Sequence, residues 1–122
     1  MNILLIEPNQ APRPCTTTDA LEAIQHIVGG PIQAVYPFEE SIALVCNEEA
    51  KLEGLPPNRA LRDETGEIYD IICGTFFLCS APPDSESFES LTEEQIDRYT
   101  QLFQHPEVFL RFNGRIVAVP VA

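Results

Sequence analysis

Apolar residues come in two patterns along this chain: short continuous or alternating runs, and residues spaced three and four apart. Residues 2–7 form a run, NILLIE, that Pro8 closes, and they read as a first strand. Residues 8–18 hold Pro8, Pro12 and Pro14 and read as loop, with room for a short strand at 15–18. Leu21, Ile24, Ile27 and Val28 then recur at helical spacing. Asp19 and Glu22 stand at capping-box separation before that stripe, and Gly29-Gly30-Pro31 ends it. Residues 32–36 and 42–46 read as an antiparallel pair around a turn at 38–41.

Residues 47–57 form a loop, because Pro56-Pro57 excludes a helix interior. Residues 59–62 and 67–70 flank Asp63-Glu64-Thr65-Gly66, a four-residue hairpin loop with glycine at positive φ. That register sets Arg62 opposite Glu67 and Arg59 opposite Asp70, favourable cross-strand charge pairs. Residues 68–79 are apolar on both faces and predict one long central strand, with Gly74 at a bulge or a close backbone approach. An acidic, proline-containing loop follows at 81–90. Thr92 as N-cap, Gln95 as its capping-box partner and Glu93-Glu94 at the positive end of the dipole then start a second helix. Leu91 and Ile96 have hydrophobic-staple spacing, and Ile96, Tyr99, Leu102 and Phe103 form the inward stripe up to His105-Pro106. VFLRF, Asn113-Gly114 and RIVAV close the chain as a hairpin with the strongest two-residue turn signal. The expected fold is α+β: a single domain with a largely antiparallel sheet of about six to seven strands and two helices.

Composition narrows the function. A chain of 122 residues is one domain by size, and 44% hydrophobic content is that of a folded protein. No apolar run approaches the ~20 residues of a membrane helix. MNILLIEPN lacks a basic leader and meets an acid and a proline early, so it reads as a strand rather than a signal peptide, and a cytoplasmic protein is expected. The net charge is −12, with 19 acidic against seven basic residues, which argues against direct nucleic-acid binding. The acid excess either keeps the protein soluble or forms a face for a basic partner. Asp84, Glu86, Glu89, Glu93, Glu94 and Asp97 would carry that face in the manner of a DNA mimic. Cys15, Cys46, Cys73 and Cys79 show no C-x-x-C spacing, and no histidine lies at ligand distance from them. Free thiols are expected, with no metal site and no cofactor.

No phosphate-binding glycine motif and no G-x-S-x-G elbow occurs. His26 and His105 sit where a helix would carry them on its surface or at its end. Adjacent acids point to opposite faces of a strand, so Glu39-Glu40 and Glu48-Glu49 make no dyad. No catalytic residue is assigned. Glu48, Glu49 or Asp70 as a general base would lack partner groups. The polar groups that look placed lie between 47 and 75: Asn47, Asn58, Arg59, Arg62, Tyr69, Asp70 and Thr75. The arginines and Asn58 could grip a carboxylate or phosphate, with Tyr69 as a stacking platform. Alternatively, Arg59 and Arg62 pair with Asp70 and Glu67 inside the hairpin, and Asn58 satisfies backbone.

The segments Leu55-Pro56-x-Asn58-Arg59-Ala60-Leu61-Arg62 and Ile68-Tyr69-Asp70-Ile71-Ile72-x-Gly74-Thr75-Phe76, with LEAIQHIVGG before them and LTEEQIDRYTQLFQHPEVF after, resemble a small domain family of unknown function. Its members occur in gut bacteria, phages and integrative elements, sometimes beside antirestriction-type modules. The resemblance carries over no catalytic residue. It implies a mobile-element setting. There a non-enzymatic protein would act by sequestration or blockade, its partner a small anionic, nucleotide-like ligand or a host protein, and the chain itself could form a homo-oligomer.

Overall fold

A computed structural model describes residues 1–121. The elements run in the order β1 Asn2–Ile6, β2 Arg13–Thr16, α1 Leu21–Val28, β3 Ile32–Val35, β4 Ile42–Asn47, β5 Pro57–Arg62, β6 Ile68–Cys73, β7 Phe76–Ser80, α2 Glu93–Leu102, β8 Glu107–Phe112 and β9 Arg115–Pro120. The fold is α+β, but its main sheet has five strands rather than six to seven, in the order β2-β1-β7-β4-β3, every pair antiparallel. Two further two-stranded sheets, β5-β6 and β8-β9, stand apart from it.

The expected strand over 68–79 is two strands. Gly74 turns the chain at φ +75°, and a Cβ there would lie 2.9 Å from Leu55 Cδ1. The first half then pairs with β5, while the second becomes the middle strand of the main sheet. Continuous hydrophobicity suggests a single element, yet only the second half is buried almost throughout, while in the first Ile72 alone is fully buried.

The main sheet is covered on both faces, which explains why β1, β4 and β7 are apolar at successive positions. Ile3, Leu5, Ala43, Val45, Phe77 and Cys79 face α1, where Ile24 and Val28 close the layer. Leu4, Ile6, Leu44, Phe76 and Leu78 face the other way, against Leu61 and Ile72 of the small hairpin and Tyr99 and Phe103 of α2. Burial pushes the Cys79 thiol up to about 12, as expected for a cysteine acting as a core hydrophobe.

The helix signals are unequal. Thr92 accepts from Gln95 N, and the Gln95 side chain accepts from Thr92 N, which completes the capping box of α2. At α1 the N-cap is Ala20, with no side-chain cap, so the expected Asp19–Glu22 box does not form. Gly29 does end α1, at φ +81°. Leu21 and Leu102, both counted in the inward stripes, are exposed. No helix among the described residues is long and apolar enough to cross a membrane.

Candidate functional site

Besides the packing of Leu61 and Ile72, a buried asparagine ties the β5-β6 hairpin to the main sheet. Asn58 is 1% exposed, and its Nδ2 donates to Ile6 O at 2.9 Å and Gly74 O at 2.8 Å. Its Oδ1 accepts from Arg59 Nη1 at 2.8 Å. Arg59, also 1% exposed, continues this network toward α2. Nε and Nη2 donate to the carbonyl of Phe103 at 3.2 and 3.0 Å, Nη2 donates to Gln10 O at 2.7 Å, and Nη1 also donates to Asn58 O at 3.3 Å. Phe103 is the C-cap of α2, so the guanidinium sits at the negative end of the helix dipole. Burial lowers the Arg59 pKa from its ordinary value, and the Glu107 charge opposes that shift.

The anticipated charge pairs are replaced. Bulges between Pro57 and Arg59 and between Leu61 and Arg62 shift the register, so Arg59 faces Ile72 and Arg62 faces Ile68. Arg62 Nη2 instead donates to Glu107 Oε2 at 2.7 Å, from the start of β8. The other Glu107 oxygen accepts from Ala60 N at 2.9 Å. Asp70 accepts from Lys51 Nζ at 2.8 Å, a bond that raises the Lys51 pKa. Four-residue turns gave no hint of either bulge, and Glu107 lies 45 residues beyond Arg62 in sequence. The turn itself follows expectation: Asp63 Oδ1 accepts from Thr65 Oγ1 at 2.6 Å and from Thr65 N and Glu67 N, and Gly66 has φ +86°.

A cavity of about 520 Å³ opens where this hairpin, the end of α2 and the start of β8 meet. Pro37, Phe38, Leu61, Leu102 and Phe103 supply apolar wall, Tyr69 and His105 stand on its lining, and Arg59 and Arg62 contribute two cations against the single acid Glu107. A net positive lining is unusual in a chain of net charge −12. Arg62 keeps its side chain 38% exposed and makes its one hydrogen bond among the described residues to Glu107. Arg59 lends charge to the wall with every N–H already engaged. Tyr69 is 57% exposed, a ring face open to a planar partner.

The other candidates are elsewhere. Asn47 is buried, donates to Val28 O at 3.3 Å and accepts from Glu49 N at 2.8 Å, which fixes the chain after β4. Asp70 and Lys51 do not line this cavity; they line a wider groove shared with Arg62 and Tyr69 and a small cavity with Cys46 and Cys73, whose thiols burial pushes up. Thr75 is half-buried in the link between β6 and β7. Asp84, Glu86, Glu89, Glu93, Glu94 and Asp97 are all exposed, and among the described residues only Glu94 is in an ion pair, with Arg98. Sequence reasoning missed Glu107 and gave His105 only a helix-end role. An acid opening an otherwise apolar hairpin was the available signal.

Residues 1–104 match the model of a protein family described as a domain of unknown function, DUF3846. No curated protein and no solved structure matches the chain.

Proposed function

We propose that this chain, which belongs to the DUF3846 family, is a non-enzymatic binding protein whose ligand is a small anion with a planar apolar body. The supporting observation is the charge of the cavity: Arg59 and Arg62 face one acid within an apolar wall of nucleotide-compatible size, about 520 Å³, on an otherwise acidic protein. Pockets of roughly 300–1,000 Å³ with few polar groups suit small molecules. In this reading Arg62 turns its free edge to a phosphate or carboxylate, Tyr69 stacks on the planar part, and Asn58 and Arg59 hold the wall rigid. Asn47, Asp70 and Thr75 do not line this cavity, and Asp70 borders the adjoining groove with Arg62 and Tyr69. The setting is the cytoplasm of a host cell, where a phage or mobile element would use such a protein to sequester a nucleotide-like signal in counter-defence.

Isothermal titration with a panel of nucleotides checks this. Heat with at least one member, lost in Arg62→Ala and reduced in Tyr69→Ala, is the expected result. No heat with any member removes the small-ligand reading. A second reading draws on the six exposed acids around the start of α2, five of them outside any ion pair among the described residues. They would occupy a basic site on a host protein, and such a complex weakens steeply with salt. A complex insensitive to salt would exclude it.

A further inference from the structure

The small-ligand cavity does not end at its own rim. Arg62 and Tyr69 belong to its lining and also to that of a groove of about 940 Å³ between β6 and β9, so the two depressions share a border. Ile68, Ile71, Ile116 and Val117 give the groove apolar wall. Its charged groups are Lys51, Arg62 and Arg115 against Glu67 and Asp70. Lys51 and Asp70 neutralise each other at 2.8 Å. Arg115 is exposed and forms no ion pair among the described residues. Arg62 bonds Glu107 through Nη2 alone, which leaves Nε and Nη1 without a partner among those residues.

Four of the chain's seven basic residues, Lys51, Arg59, Arg62 and Arg115, thus line the two depressions, against three of its 19 acids. In so acidic a chain, cations gathered along one path make a local field that attracts anions. The cavity and the groove, about 520 and 940 Å³, together exceed the roughly 300–1,000 Å³ that holds one small molecule. We infer, resting on the small-ligand reading above, that the ligand is a dinucleotide that spans both. One nucleoside fills the cavity, and its 5′ phosphate, the bridge, meets the free donors of Arg62 at the border. Tyr69 stacks on a base there, and the second nucleotide lies in the groove with its terminal phosphate on Arg115. A longer strand would bring further phosphates against a protein of net charge −12.

Isothermal titration of the full chain tests this with three probes for each base: the 5′ mononucleotide, the 5′-phosphorylated dinucleotide and the tetranucleotide. The expected result is a dinucleotide of at least one base that binds about tenfold or more tightly than its mononucleotide, because its second half docks as a tethered group. Arg115→Gln brings the dinucleotide down to mononucleotide affinity and leaves the mononucleotide unchanged, whereas Arg62→Ala weakens both. Circular dichroism melts establish that each variant is folded. Ile116→Glu, which puts an acid on the groove wall, has the same selective effect and serves if Arg115→Gln unfolds. A mononucleotide that binds as tightly as the dinucleotide overturns the inference and leaves the cavity as a mononucleotide site; no heat from any probe removes both. A tetranucleotide tighter than the dinucleotide, or a dinucleotide affinity unchanged in folded Arg115→Gln or Ile116→Glu, also overturns it.

Discussion

Replacing Arg59 with methionine tests whether the buried guanidinium is a structural bolt. The side chain donates five hydrogen bonds of 2.7–3.3 Å to four acceptors: the carbonyls of Gln10, Asn58 and Phe103, and Asn58 Oδ1. Bonds from a charged donor contribute about 1.5–3 kcal/mol each, so their gross sum is roughly 8–15 kcal/mol. Desolvation of the guanidinium takes back several kcal/mol, and among the described residues no carboxylate bonds it to offset that directly. Methionine keeps most of the apolar stem but leaves buried carbonyl and amide oxygens unpaired. The net loss is then about 3–5 kcal/mol, in line with removing one side of a buried polar network. Against a total stability of about 5–15 kcal/mol this is a severe defect, with Tm falling by roughly 10–20 °C. Urea unfolding followed by circular dichroism reads it. Lysine at 59 should recover little, because three donors on a single point cannot reach Gln10, Asn58 and Phe103 together. A methionine variant within about 1 kcal/mol of wild type would refute the reasoning, since it would mean that water or rearrangement satisfies those oxygens at no cost.

Two other outcomes concern the fold that holds the site. The Glu40 carboxyl is held at about 2, first by the Tyr99 hydroxyl, then by Arg98 and Gln95. Because its folded pKa is depressed, its stabilisation is present above its ordinary value of 4.5 and is lost as pH falls through about 2. A shift of that size is worth about 3 kcal/mol at face value; with the side chain more than a third exposed, solvent screening reduces the expected contribution to about 1–2 kcal/mol. Glu40→Gln should therefore lower stability near neutral pH by that amount and flatten the acid limb of a stability–pH curve between those two values; an unchanged limb would contradict the assignment. Gly74→Ala should destabilise by about 1–3 kcal/mol in urea unfolding, because alanine resists positive φ and its Cβ would meet Leu55, and a neutral result would mean that the link between β6 and β7 relaxes freely.

Local rules were legible in the chain and long-range ones were not. The capping box at Thr92 and Gln95, the αL glycine at 29 and the Asn113-Gly114 turn each depend on residues within a few positions of one another, and all three form. The arginine pairing at 59 and 62 depended on a register that two bulges altered, and bulges leave no mark in alternation. The five-strand sheet came out smaller than expected because Gly74 sends β6 away from it, although that glycine had been singled out for a backbone anomaly. Asn58 and Arg59 were selected for their chemistry. Their burial shows a polar residue type chosen for packing, with carbonyls as partners, and sequence cannot distinguish an arginine that caps a distant helix from one that meets a ligand.

The division of labour between the two arginines is open to one direct observation. Side-chain nitrogen-15 NMR of arginine-labelled protein resolves the guanidinium groups as a nucleotide is titrated in. The account predicts that Arg59 N–H protons exchange slowly and hold their shifts, while the Arg62 signal moves with ligand concentration and saturates. An Arg62 signal that never moves, with Arg59 exchanging as fast as a surface arginine, would contradict both the bolt and the site beside it.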